Sequence, residues 1–140
     1  DNEILKNLKL KRDKATDILN HELEPYSKKI TLDKLRKGKF SIIIDETTDV
    51  GTKKSLVVLA RFFNKDLNKV KDHFVDLIEV RDASAKSLFN SIKLLLDSNN
   101  IPYNNLIGFG ADNASVMMGN FGGVKAKLQE ISPHIVIQGC

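Results

Sequence analysis

Two aspartates stand where apolar, strand-like runs end. Asp45 closes Phe40-Ser-Ile-Ile-Ile44, and Asp112 closes Leu106-Ile-Gly-Phe-Gly-Ala111. A carboxylate at the point where a buried strand reaches the rim of its sheet is fixed by the scaffold yet open to water, which suits binding of a hard cation. Two such groups side by side repel each other unless a cation lies between them, and Mg²⁺ or Mn²⁺ is the natural oxygen-ligated guest. Ions held ~3.5–4 Å apart in this way activate water or a sugar 3′-hydroxyl and stabilise the leaving oxygen of an in-line phosphodiester displacement. Asp45 and Asp112 are therefore the candidate metal ligands and candidate catalytic residues. Each also has a structural use: Asp112 can cap the turn Asn113-Ala-Ser-Val116, and Asp45 can cap a turn with Thr47 or Thr48. Residue type alone leaves both uses open.

Other chemistry-bearing residues are weaker candidates. Glu46 follows Asp45 and, if the strand continues, points to the opposite face; Asp49 shares the parity of Asp45 but fits a turn. Gly108-Phe-Gly110 is half of a dinucleotide fingerprint. Gly119-Asn-Phe-Gly-Gly123 could bring a backbone close to a phosphate, but ordinary loop punctuation is the better account of it. His21, His73 and His134 are too scattered for a zinc site, and no Ser/His/Asp or Cys/His arrangement stands out.

The elements that must position the aspartates follow from periodicity. Ile4, Leu5, Leu8, Ala15, Ile18, Leu19 and Leu23 recur at helical steps and predict an amphipathic helix over 2–24 that ends at Pro25. A second helix is expected to start with Thr31 as N-cap, carry Leu32 and Leu35, and stop at Gly38. Phe40 to Ile44 is apolar at nearly every position, as expected for a central strand covered on both faces. Ser55 to Phe63 and His73 to Val80 predict an antiparallel hairpin around Asn64 to Lys69. Ser84 can N-cap a helix striped with Leu88, Ile92, Leu95 and Leu96 that ends at Asn99-Asn100. Strand 106–111, helix 124–131 and strand 135–138 complete the order.

Strand, strand, strand, helix, strand, helix, strand calls for an α/β fold with a mixed sheet, an antiparallel meander followed by parallel strands reached through right-handed crossover helices. This is the ribonuclease H-like topology. It sets the fourth strand parallel to and beside the first, which makes Asp45 and Asp112 neighbours. Residues 1–37 form an N-terminal helical segment, and residues 38–140 form the N-terminal part of the α/β domain.

At 140 residues the chain suffices for one domain, of a size that buries roughly 68% of the surface its unfolded chain exposes. Cys140 has no intramolecular partner, so a reducing compartment is expected. No apolar run approaches the ~20 residues that span a bilayer, and no basic-then-apolar leader opens the chain, so a soluble, intracellular protein without membrane association is expected. The chain opens without Met and stops inside an apolar run, which suggests a truncated piece of something longer. A net charge of +4 from 22 basic and 18 acidic residues is a mild lean toward anionic partners. The densest basic stretch, Lys28 to Lys39, reads as a solvated helix face or as a weak phosphate contact.

Three linked blocks carry a resemblance: Ile44-Asp-Glu-Thr-Thr-Asp49, Gly108-Phe-Gly-Ala-Asp-Asn-Ala-Ser-Val-Met-Met-Gly119 and Gly122-Gly-Val124. In order and spacing they resemble the catalytic core of hAT-type transposases and their domesticated BED-type and MYM-type zinc-finger relatives, from about Phe40 to Cys140. The resemblance implies a ribonuclease H-like nuclease core that cuts and rejoins DNA with Mg²⁺ or Mn²⁺, with Asp45 as first acid and Asp112 as second. It further implies a nuclear protein that binds DNA and forms a homo-oligomer in its full-length form, reading sequence through a separate zinc-finger module. In the family the third acid, a Glu, follows a large helical insertion after the region covered here; Glu130 is a poor stand-in. Cys140 would match the first residue of the family's Cys-x-x-His element. Asn113 departs from the Gly that relatives often carry, a change the turn could survive because Asn tolerates positive φ.

The same residues admit two rival readings. One is a domesticated, non-catalytic scaffold for DNA or protein. The other is a sugar-kinase-like ATPase, for which Thr48-Asp-Val-Gly-Thr52 is only a faint phosphate-binding hairpin.

Overall fold

The structure is a computed structural model that describes residues 12–48 and 53–139. The chain divides into two units, Asp1–Ile30 and Thr31–Cys140.

In the first unit, α1 (Arg12–Ile18) passes into a π-helical turn (Leu19–Leu23), and α2 (Glu24–Lys37) begins there. The helix does not end at Pro25, as periodicity had led one to expect; it continues through it. Proline lacks an N–H, and its ring crowds the carbonyl four residues back. The wide π turn relieves this, because the Glu24 N–H bonds Leu19 O five residues back and opens the backbone just ahead of Pro25. Residues 2–11 of the expected helix lie outside the described residues.

The second unit opens inside α2. Thr31 is not an N-cap but a buried residue of the helix interior, and Gly38 does stop it, its N–H bonding Lys34 O at 3.0 Å. Asn105 Nδ2 then donates to Leu35 O and Arg36 O at 3.0 and 2.9 Å, satisfying carbonyls that the helix end leaves without partners.

Five strands follow: β1 (Phe40–Thr48), β2 (Lys54–Asn64), β3 (Lys69–Val80), β4 (Leu106–Ala111) and β5 (Val136–Gly139). They form one sheet in the order β3-β2-β1-β4-β5. β1, β2 and β3 pair antiparallel, while β4 lies parallel to both β1 and β5. The α3 helix (Ala85–Ser98) leads from β3 to β4; α4 (Ser115–Met118) and α5 (Val124–Ile131) lead from β4 to β5. This mixed α/β sheet is the ribonuclease-like architecture read from the sequence. Ser84 caps α3, its Oγ accepting the Ser87 N–H at 3.2 Å.

One sheet face holds the core. Ile42, Ile44, Val58, Ala60 and Phe109 meet Leu88, Ile92 and Leu96 of α3 and Val124 and Leu128 of α5 in a single buried cluster. The alternate positions behave differently: Ile43 is only half-buried, and Phe74 and Leu77 are about half exposed. The expectation that β1 is covered on both faces is thus met on one only among the described residues. Ile43 on the outward face of β1 is nevertheless apolar because it stands beside Leu59 of β2, its partner in register.

The β1–β4 seam is unusually close at one point. A Cβ on Gly108 would sit 2.2 Å from Ser41 Oγ, so glycine is needed there for space, and no described glycine has a positive φ. Gly108→Ala is expected to destabilise the fold by about 1–3 kcal/mol in urea denaturation, and adding Ser41→Gly is expected to recover part of that loss.

His73 stacks on Phe62, ring centroids 4.4 Å apart and 8° from parallel, and its buried Nε2 finds no hydrogen-bond partner among the described residues. Burial first, then Lys34 and Lys71, hold its pKa below the ordinary 6.5, with Asp72 opposing. The unfolded chain therefore takes up this proton near pH 6.5 while the folded chain does not. Stability is expected to fall as pH drops below that value and to level off once the folded ring titrates. Denaturation from pH 8 to about 5 should show that slope flattened in His73→Phe.

Candidate functional site at the carboxyl ends of the parallel strands

Parallel pairing sets Ser41 beside Gly108, Ile42 beside Phe109 and Ile43 beside Gly110. Carrying that register two residues past the last paired position sets Asp45 level with Asp112 and on the same face. Both side chains are exposed. Asp112 lies just past the end of β4, but Asp45 does not close its strand as expected. β1 runs on to Thr48 because its antiparallel pairing with β2, Asp45 opposite Val57 and Thr47 opposite Ser55, continues after the parallel partner has ended. Asp45 is therefore at the rim with respect to β4 and inside the ladder with respect to β2.

The two carboxylates are held differently. Asp112 Oδ1 accepts the Ala114 N–H at 3.3 Å, so the capping use of this residue is real. A carboxylate offers about four lone-pair sites, which leaves room for a cation as well. The turn that Asp45 could cap is not formed, because Asp45 to Thr48 continue β1. Glu46 falls on the opposite face, its carboxylate 3.9 Å from Lys54 Nζ. Asp49 and the rest of the Thr48–Thr52 stretch beyond Thr48, like Cys140, lie outside the described residues.

Beyond Asp112 the chain stays at this rim before turning back. Asn113 has no positive φ, so the tolerance expected of Asn is not used. Its side chain instead packs against the end of β5, where a Cβ on Gly139 would lie 2.1 Å from Asn113 Oδ1. The short α4 helix, not foreseen from the sequence, buries Met117 as an anchor. Gly119 and Gly123 then approach each other closely: the Gly123 N–H bonds Gly119 O at 3.2 Å, and a Cβ on Gly123 would meet Gly119 N at 2.5 Å. These glycines allow backbone to touch backbone within the loop itself.

Other candidates stay apart from the pair. Glu130 is exposed near the end of α5, roughly 9 Å along that helix from its start at the rim. His134 Nε2 lies 3.4 Å from the buried Ser132 Oγ, His73 is in β3, and His21 is in the π turn of the first unit. Among the described residues no three His, Cys, Asp or Glu side chains gather as a metal site. Of the basic stretch, Arg36 Nε donates to Asn99 O at 2.7 Å and Lys34 pairs with Asp66 at 3.7 Å, so both have structural employment.

A three-strand meander with parallel strands added through helices is an RNase-like α/β architecture. A family model described as "ZMYM1/FAM200, RNase-like domain" matches residues 4–123, and the chain belongs to that family. The match takes in β1 to β4, both aspartates and the glycine loop after Asp112. Among the described residues no helix is long and apolar enough to cross a membrane.

The unequal anchoring of the pair has a measurable consequence. Asp112→Ala, which removes the acceptor for Ala114 N–H, is expected to cost about 1 kcal/mol in chemical denaturation without divalent metal. Asp45→Asn, at an exposed position of β1, is expected to change stability little by the same measurement.

Proposed function

We propose that this chain is part of a hAT-type, transposase-derived nuclease core, in which Asp45 and Asp112 hold a divalent cation for DNA strand cleavage and transfer. The observation that carries this reading is the parallel β1–β4 register, which makes two exposed aspartates level on one face. Their donor set fits the group: Mg²⁺ takes one or two carboxylates and completes its shell with water and substrate phosphate oxygens. When bound, Mg²⁺ or Mn²⁺ supplies the charge that activates an attacking oxygen and steadies a leaving one in phosphodiester displacement. The chain's own contribution is positional. Asp45 is fixed by its ladder to β2 and, two residues earlier, by the pairing of β1 with β4, Asp112 is oriented by its bond to Ala114, and both face solvent where a DNA backbone can approach. A third carboxylate, supplied from beyond these residues, would complete the acidic set, and the 140-residue chain alone is proposed to be inactive. The full-length form is proposed to act in the nucleus as a homo-oligomer on DNA.

A second reading, a domesticated scaffold without catalysis, draws on a different observation. The sheet face that carries Asp45 also exposes Phe74, Leu77 and, toward its edges, Phe63 and Val136, an apolar surface suited to binding.

The two readings part on metal. Mn²⁺ binding, followed by water-proton relaxation, is expected to weaken by at least ~10-fold in Asp45→Asn and in Asp112→Asn. Full-length protein is expected to cleave hairpin or transposon-end DNA only with divalent metal and only with Asp45 intact. Cleavage that survives Asp45→Ala would sink the nuclease assignment; Mn²⁺ binding indifferent to both aspartates would favour the scaffold.

A further inference from the structure

The loop between α4 and α5 displays one aromatic ring without cover. Phe121 is 103% exposed, against 50–57% for the half-exposed residues Phe63, Val70, Phe74 and Leu77 of the meander. Burying a phenyl ring is worth a few kcal/mol, so a ring left wholly in water gains nothing for the fold. Nor does it swing on a slack loop. The close approach of Gly119 and Gly123 pinches the base of the turn, Met117 anchors its start in the core, and Lys125 Nζ bonds Asn120 Oδ1 at 2.6 Å beside the ring.

Its place in the topology is specific. The segment from Asp112 to Gly123 leaves the carboxyl end of β4 and enters the helix that runs back along the sheet, so it lies outside the same strand ends that carry Asp45 and Asp112. In open α/β sheets ligands gather outside the carboxyl ends of the strands. Lys125 and Lys127 follow the ring on α5, and an ammonium group with three donors can meet a phosphate while keeping Asn120. An exposed ring, a basic neighbour and a carboxylate pair on one rim match what an unpaired nucleotide presents: a flat base, a phosphate and a reacting phosphodiester.

We infer that Phe121 is a stacking platform for an unpaired base of the DNA strand presented to Asp45 and Asp112. This rests on the nuclease reading for its ligand, though not for its geometry. Phe121 binds and orients the strand; it touches neither the reacting phosphorus nor the metal.

The test uses the 140-residue chain and single-stranded oligonucleotides carrying one 2-aminopurine, with affinity read by anisotropy and stacking by fluorescence quenching, in Mn²⁺ and in chelator. Phe121→Ala, whose exposed site carries no folding role, is expected to weaken single-strand binding by roughly 5- to 100-fold and to abolish the quenching. Phe121→Tyr is expected to retain both, and duplex binding is expected to change little. If Phe121→Ala binds and quenches as before while Asp45→Asn loses the Mn²⁺-dependent gain in affinity, the stacking role falls and the nuclease reading stands. If Phe121→Ala loses binding but neither aspartate alters the effect of Mn²⁺, the platform stands and the metal reading falls. A chain that binds no single strand, or a Phe121→Ala variant altered only in self-association, overturns the inference.

Discussion

Everything at the candidate site depends on how closely β1 and β4 lie together. Parallel strands have no hairpin to set their register, so side-chain packing across the seam must do it. Gly108 leaves the space that Ser41 fills, with a would-be Cβ only 2.2 Å from Ser41 Oγ. A slip of one residue would put Phe109 opposite Ser41 and turn Asp112 toward the core face. The small residues at this seam thus act on the site from a distance, by making only one alignment of the aspartates sterically acceptable. The core side reinforces the choice, because Ile42 and Phe109, paired in this register, are both buried in the main cluster.

The meander holds β1 from its other side. Arg61 and Asp72 face each other across β2 and β3 and form a two-pronged ion pair, Nε to Oδ1 at 2.6 Å and Nη2 to Oδ2 at 2.8 Å. That bond lowers the pKa of Asp72, yet the pair is solvent-exposed, so its value lies in register more than in stability. Farther along, the ladder shifts between Val58 and Leu59, where Asp76 and Phe74 are the successive partners and Val75 between them is buried. The bulge puts Phe74 and Leu77 on one face although they are three residues apart, and so builds the apolar surface around the β1 and β2 side chains of that face.

Much of this could be read from residue order, and the misses have physical causes. The α3 helix, β4 and α5 have clean periods bounded by Ser84, Asn99 and the Gly122-Gly123 pair, and the structure keeps those limits. The side-by-side placement of Asp45 and Asp112 followed from element order alone, because a parallel β1–β4 pair leaves little choice. Pro25 misled because its usual effect as a breaker is local, whereas the preceding π turn absorbs the missing N–H. Thr31 looked like a cap only if the helix had stopped at Pro25. The length of β1 was hidden because Asp45 and Glu46 are poor strand formers in isolation, and only pairing with β2 carries the strand past them. The α4 helix, at four residues, is too short to show a period at all.

The aspartates also differ in what a ligand must do to use them. Asp45 sits on a backbone laddered to β2 on one side and, two residues earlier, to β4 on the other, so its position is set before any ligand arrives. Asp112 is held by a single turn bond to Ala114 and by the neighbouring Asn113 packed against Gly139. Reorienting Asp112 costs no strand pairing, only one exposed hydrogen bond worth about 1 kcal/mol. On the proposed metal reading, a cation between the two carboxylates would offset that bond by neutralising both charges. On that reading the strand-held Asp45 would set where the cation lies, and the turn-held Asp112 would adapt to it.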